Sequence, residues 1–199
     1  MKNLRPYDYK VFVTGPHQAG KTKLIHVLDP AAISVERPLL SPEGAEPITT
    51  TTGFDLGRVM WVRSDDAQRG RIVPLSEYDE ESEGGATAKL VEFRGVPGML
   101  HYKFVRDTMR SGTNLVLLVV DSCNRDMIKD AITHLEEVHT SFGSSVNVVV
   151  IANKQDRENA ADPEEVAQWL GVEQAIGMTT KDPEDCREKI VTILYEMLG

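Results

Sequence analysis

Eight consecutive residues near the N-terminus have types and spacing that suit phosphate chemistry: Gly15-Pro16-His17-Gln18-Ala19-Gly20-Lys21-Thr22. They follow an apolar strand-like run and lead into a helical one, which is the setting that a G-x-x-x-x-G-K-[ST] phosphate-binding loop requires. The glycines let the backbone approach phosphate oxygens, and the N–H groups at the helix start point toward them. Lys21 is expected to reach the β- and γ-phosphates, and the Thr22 hydroxyl to ligate Mg²⁺. We therefore predict a phosphate site made of Gly15, His17, Gln18, Ala19, Gly20, Lys21 and Thr22.

A second polar motif, Asn153-Lys154-Gln155-Asp156, follows the apolar run 146–152 and so comes at the carboxyl end of a predicted strand. Ligands bind at that edge in open α/β sheets. The Asp156 carboxylate can accept from the N1–H and the 2-amino group of guanine, whereas adenine would leave the carboxylate unpaired. The Lys154 stem can cover the base, and Asn153 can join this loop to the phosphate loop. Together with the phosphate loop, the motif predicts a guanine nucleotide site.

The elements that must position these residues alternate between strand-like and helical runs. We predict strands at 9–14, 57–63, 88–93, 114–121, 146–152 and 175–178, and helices at 21–28, 99–111, 125–141, 163–169 and 183–198. This order predicts a single α/β P-loop NTPase domain over residues 1–199, with a roughly six-stranded, mostly parallel sheet and helices on both faces.

Two segments fall outside this alternation. Residues 29–50 form a long Pro- and Ser-containing loop, and residues 64–86 form a polar, acidic insertion. The acidic run within the insertion is either a solvated loop or a docking surface, and its composition favours the solvated loop. Residues 71–75 could add an edge strand to the sheet.

Composition sets limits on partners and location. A net charge of −9 disfavours nonspecific binding to nucleic acid or to an anionic membrane surface. No apolar run approaches the roughly 20 residues of a membrane helix. The first residues lack a secretion signal and a Gly at position 2, and the C-terminus lacks a prenylation-type Cys, so we expect no lipid anchor. Two cysteines without a disulfide pattern favour a reducing compartment, and we expect a cytoplasmic protein.

With both nucleotide motifs in place, the chain resembles the Ras-superfamily small GTPases over nearly all its length. The resemblance is strongest to the Arf/Sar branch and to prokaryotic Ras-like GTPases. Thr51-Thr52-Gly53-Phe54-Asp55 is similar to the Arf-type switch I, and the resemblance implies that Thr51 closes on Mg²⁺ and the γ-phosphate. Thr179, Thr180 and Lys181 lie where the family's Ser-Ala-Lys loop touches the base. The implied ligands are GTP, GDP and Mg²⁺.

The family's third motif, Asp-x-x-Gly-Gln, is changed in this chain. The corresponding segment is Gly95-Val96-Pro97-Gly98-Met99, so Gly98 matches the glycine that contacts the γ-phosphate, while Gly95 and Met99 replace the Asp and the Gln. Some prokaryotic relatives also lack that Asp. A thioether cannot aim a water molecule as the Gln does, which predicts slow intrinsic hydrolysis. His17, closest to the γ-phosphate in the family, could either crowd or hold that water, and His101 is a second candidate.

These residues predict a GTP-binding switch that hydrolyses GTP to GDP slowly, with partner stimulation compensating for Met99. The family resemblance implies an exchange factor, a GTPase-activating protein and an effector, with Roadblock-type dimers among the possible regulators. The alternative is a pseudo-GTPase that holds GTP or GDP without turnover. A nucleotide kinase is disfavoured because the chain has no Arg-rich lid.

Overall fold

A seven-stranded sheet with helices on both faces runs through the part of the chain that the computed structural model describes. That part comprises residues 7–34, 36–38, 49–51, 54–64, 67–82, 86–96, 111–143 and 145–199. The strands are β1 Tyr9–Thr14, β2 Glu36–Pro38, β3 Thr49–Thr51, β4 Asp55–Ser64, β5 Ala67–Pro74, β6 Thr87–Gly95, β7 Leu115–Asp121, β8 Asn147–Asn153 and β9 Ile176–Gly177. The helices are α1 Lys21–Leu28, α2 Ile128–Phe142, α3 Pro163–Leu170 and α4 Pro183–Leu198, with a 3₁₀ turn at Arg125–Met127 before α2.

The strand order in the large sheet is β5-β4-β6-β1-β7-β8-β9. The pairs from β6 through β1, β7 and β8 to β9 are parallel, whereas β4 pairs antiparallel with both β5 and β6. The α/β class with a mostly parallel sheet is therefore confirmed. The sheet has one strand more than the six that were predicted. This additional strand is β5, which lies at the edge of the sheet and includes residues 71–74 of the possible edge strand.

Buried apolar side chains hold the helices on the two faces of the sheet. The inner strands β1 and β7 are almost wholly buried, as continuous apolar runs covered on both sides should be. One core joins these strands to α1 and α4 through residues such as Leu24, Ile25 and Ile190. Another joins Leu118 of β7 to Leu135 of α2 and Val166 of α3. The loops at the carboxyl ends of the parallel strands are thereby fixed relative to one another.

Helix starts follow the local chemistry of the sequence. Asp182 precedes α4, and its Oδ1 accepts from the backbone N–H groups of Glu184 and Asp185 at 3.1 Å each. Pro183 takes the first helical position, where its missing N–H costs nothing. Asp162 and Pro163 begin α3 in the same order.

The long segment 29–50 differs from the loop that the sequence predicted. It contains β2, and β2 pairs antiparallel with β3 in a small separate sheet, with Glu36 opposite Thr51. Both strands are only three residues long, and runs this short carry no periodic signal that the sequence analysis could detect. The insertion 64–86 likewise contains β5, followed by an exposed acidic stretch at 79–82. The predicted helix at 99–111 lies almost wholly outside the described residues.

Candidate functional site

The predicted phosphate loop runs from the end of β1 into α1, and its two glycines are fixed by close neighbours. Gly15 and Gly20 have φ angles of +133° and +102°, a region that favours glycine. A Cβ on Gly15 would lie 2.1 Å from the carbonyl oxygen of Val119, and a Cβ on Gly20 would lie 2.2 Å from Nδ2 of Asn153. Neither position can hold a side chain while the loop keeps this path.

Lys21 lies at the centre of the loop. Its Nζ donates to the carbonyl oxygens of Gly15 at 2.9 Å and Pro16 at 2.6 Å. Burial lowers the pKa of Lys21 to about 8, and the nearby negative charge of Asp55 opposes that shift. The lysine is therefore a buried cation with a small set of local acceptors, ready to exchange them for phosphate oxygens.

Asp55 lies beside Thr22, although the sequence analysis assigned no role to Asp55. The Thr22 hydroxyl donates to Oδ2 of Asp55 at 2.8 Å. The Asp55 side chain is fully buried, and its Oδ1 has no hydrogen-bond partner among the described residues. An orphaned carboxylate oxygen in a buried place is costly unless a ligand or its waters complete the site.

Register explains how Asp55 comes to this place. On the antiparallel strands β4 and β6, Asp55 is directly opposite Gly95, the position where the family resemblance expects an Asp. A Cβ on Gly95 would lie 2.8 Å from Oδ2 of Asp55, so the absence of a side chain on β6 makes room for the carboxylate from β4. The missing carboxylate is thus replaced in space by one from the neighbouring strand. Only the register of β4 and β6 brings the two positions together, so no local signal in the sequence marks Asp55.

Asn153 connects the phosphate loop to the second motif. Its Nδ2 donates to the carbonyl oxygen of Ala19 at 2.8 Å, and its side chain is buried. The next residue, Lys154, has a φ of +70° and places its Nζ 2.6 Å from Oδ2 of Asp121, at the end of β7. Three strand ends therefore meet at one edge of the sheet, as an α/β ligand site requires.

Asp156 is exposed and already has partners within the chain. Its Oδ1 accepts from the Thr179 hydroxyl at 2.6 Å, and its Oδ2 lies 2.8 Å from Nζ of Lys181. The hydrogen bonds from Lys181 and then Thr179 lower the pKa of Asp156 to about 2. The structure thus brings together three of the predicted base-binding residues, and Thr180 lies between two of them.

His17 is half-buried in the phosphate loop. Burial lowers the pKa of its imidazole, and the positive charge of Lys21 adds to that effect. The ring is therefore neutral at physiological pH. Its neighbour Gln18 is exposed and has a φ of +60°, whereas Ala19 is buried.

Four residues that the sequence analysis singled out cannot be placed in the site. Gly98 and Met99, like His101, lie outside the described residues. Thr51 belongs to β3 by its backbone, and its side chain is not among those described.

A comparison with protein families gives a match to part of the chain. The model of the ADP-ribosylation factor (Arf) family matches residues 103–191, a segment that begins after the phosphate loop and includes the Asn153–Asp156 motif and Thr179–Lys181. No helix among the described residues is long and apolar enough to cross a membrane. The match covers less than half of the chain, and over these residues the chain is similar to the Arf family. The mostly parallel α/β sheet agrees with the resemblance to small GTPases.

Proposed function

We propose that this protein is a GTP-binding switch that hydrolyses GTP to GDP slowly. The observation that carries the proposal is the contact between Thr22 and Asp55 beside the phosphate loop. This contact places the buried carboxylate of Asp55 beside the phosphate loop, although residue 95 carries no carboxylate. The Arf-family match supports the guanine nucleotide as the ligand.

The residues at the phosphate end fit a magnesium ion. A hydroxyl that donates its hydrogen to Asp55 keeps its oxygen lone pairs for a cation, and the orphaned Oδ1 of Asp55 offers a second acceptor nearby. Thr22 and Thr51 would hold the ion, and Asp55 would orient the Thr22 hydroxyl. When bound, Mg²⁺ supplies neutralisation of charge on the β- and γ-phosphate oxygens.

The chain's own groups bind the remainder of the nucleotide. Lys21 exchanges two backbone carbonyls for phosphate oxygens, and Gly98 contacts the γ-phosphate. At the other end, Asp156 exchanges the Lys181 ammonium for the N–H groups of guanine, while Thr179 keeps the carboxylate oriented. The stem of Lys154 covers the face of the base, and the loop Thr179–Lys181 touches the base.

Hydrolysis is slow in this proposal because Met99 cannot position the attacking water. The neutral imidazole of His17 is the group in the phosphate loop best suited to hold it, since it can accept a proton without first losing one. A partner protein that supplies a polar side chain or an Arg would accelerate the reaction. An exchange factor and an effector complete the proposed cycle, and Roadblock-type dimers are proposed regulators.

A single-turnover assay tests the proposal. Protein loaded with GTP and Mg²⁺ is expected to form GDP at a rate below the roughly 4 × 10⁻⁴ s⁻¹ of intrinsic Ras hydrolysis. Stable GTP without any GDP, alone and with candidate activators, would contradict the hydrolase and favour the pseudo-GTPase that Met99 also suggests. The variant Met99→Gln distinguishes the hydrolase from the pseudo-GTPase. A faster formation of GDP would show that the remaining catalytic groups are intact, and a continued absence of hydrolysis would support the pseudo-GTPase.

A further inference from the structure

Lys154 has an unusual backbone conformation for its residue type. Its φ angle is +70°, and Gln18 in the phosphate loop is the one other non-glycine residue with a positive φ among those that the structure describes. A left-handed backbone is unfavourable for a lysine and persists only where the surroundings hold it. Residues held in this way cluster at ligand sites. The conformation therefore indicates that neighbouring groups fix Lys154 in place.

Asp121, at the end of β7, provides one such contact. The parallel register of β7 and β8 places Asp121 opposite Asn153, one residue before Lys154. Oδ2 of Asp121 lies 2.6 Å from Nζ of Lys154, and only 13% of the Asp121 side chain is exposed. Its other oxygen, Oδ1, accepts from the backbone N–H of Cys123 at 2.9 Å. One oxygen of this carboxylate thus serves the turn after β7, and the other holds the lysine ammonium.

The turn after β7 is itself fixed to the loop after β8. The N–H of Ser122 donates to the carbonyl oxygen of Asn153 at 3.1 Å, and Nε2 of Gln155 donates to Oγ of Ser122 at 2.9 Å. The carbonyl oxygen of Ser122 accepts from the N–H of Ala161 at 2.9 Å. Ser122 is 2% exposed, so these hydrogen bonds lie in a largely dry place where they are strong. The two strand ends therefore form a rigid support for the ion pair.

We propose that Asp121 is a positioning residue that holds the Lys154 side chain in place to cover the guanine base. This inference rests on the proposed function, in which the stem of Lys154 covers the base. With its ammonium bound to Asp121, the lysine offers the nucleotide its methylene stem. A stem that is ordered before binding loses less entropy when the base arrives, so the nucleotide is bound more tightly and dissociates more slowly.

A purely structural role for Asp121 would act through its bond to Cys123. Asp121→Asn separates the two roles, because the amide oxygen can still accept from the Cys123 N–H while the ion pair with Lys154 is lost. The measurement is the release of a fluorescent GDP analogue from the full-length protein. Release should be about tenfold faster in Asp121→Asn than in the parent protein. Asp121→Glu keeps the charge and should restore most of the slow release.

A matched control is Asp126→Asn, which removes an exposed carboxylate from the 3₁₀ turn before α2 and should leave the release rate unchanged. Mg²⁺ should slow GDP release by the same factor in Asp121→Asn as in the parent protein, because the ion pair lies at the base end of the site. Thermal unfolding of each variant confirms that it is folded.

A double-mutant cycle tests whether Asp121 acts through Lys154. Lys154→Met removes the ammonium and should also speed GDP release about tenfold. Asp121→Asn combined with Lys154→Met should release GDP no faster than Lys154→Met alone, because the ion pair is already absent. If Asp121 supported only the turn after β7, the two effects would multiply.

Two results would overturn the positioning role of Asp121 alone: tight GDP binding by the parent protein with an unchanged release rate in Asp121→Asn, or multiplied effects in the double variant. A parent protein that does not bind GDP would overturn the proposed function, and this inference with it. The failure of the inference and the failure of the proposed function are therefore distinguishable.

Discussion

The two ends of the proposed nucleotide site hold a carboxylate in opposite ways. Asp55, at the phosphate end, is fully buried, and one of its oxygens has no partner among the described residues. Asp156, at the base end, is exposed, and both its oxygens are paired with Thr179 and Lys181. In the proposed site, a ligand at the phosphate end would complete an unpartnered buried acceptor, whereas guanine at the base end would displace an internal ion pair.

This difference predicts that changes at the phosphate end affect affinity most strongly. Lys21→Met removes two charge-assisted hydrogen bonds to phosphate and should weaken GTP binding about a thousandfold. Lys23→Met, on the exposed side of the same helix, is the matched control. Equilibrium titration with a fluorescent GTP analogue measures both. Similar GTP affinities for the two variants would contradict the assignment of this loop as the phosphate-binding site.

At the base end, Asp156→Asn should weaken GTP binding about a hundredfold, because the amide cannot accept from two guanine N–H groups at once. The loss should be smaller than at Lys21, since the exposed carboxylate gives up existing partners to bind the base. ATP, which lacks those donors, should bind the variant and the parent protein equally weakly. Glu158→Gln is a nearby exposed control. A variant that still preferred GTP over ATP would contradict the assignment of Asp156.

The buried ammonium at the phosphate end predicts a pH dependence that the base end should not show. The pKa of free Lys21 is about 8, and bound phosphate would raise it. Binding therefore takes up a proton above pH 8, and GTP affinity should fall about tenfold between pH 7 and pH 9. Calorimetry in two buffers of different ionisation enthalpy measures the uptake. Binding at pH 8.5 without proton uptake would contradict the pKa assigned to Lys21.

The smallest expected effect concerns His17. Because burial lowers the pKa of His17, the imidazole is neutral throughout the range from pH 7 to pH 9, and the hydrolysis rate should stay flat there. His17→Ala should slow single-turnover hydrolysis by less than the roughly hundredfold that a full general base contributes, and GDP affinity should be unchanged. A faster rate in the variant would mean that His17 crowds the water instead of holding it.

How far the sequence predicted the structure depends on how local each feature is. The phosphate loop and the Asn153–Asp156 motif are consecutive residues between a strand and a helix, and their placement followed from the pattern alone. The Asp55–Gly95 pair is forty positions apart and meets only through the antiparallel register of β4 and β6. No local periodicity reveals such a register. The contact of Asp156 with Lys181 joins two loops, and the sequence analysis placed both residues at the base without showing that they pair.

The central claim is that Asp55 replaces the carboxylate missing at position 95. The most direct measurement is the rate of GDP release at high and low free Mg²⁺ for the parent protein, for Asp55→Asn, and for Asp55→Gly combined with Gly95→Asp. The account predicts that Asp55→Asn abolishes most of the slowing by Mg²⁺, shifting its half-effect concentration about 10- to 100-fold. The double variant moves the carboxylate to β6, into the space that Asp55 vacates. In this variant, Mg²⁺ should again slow the release of GDP. Slowing by Mg²⁺ that is unchanged in Asp55→Asn would contradict the claim.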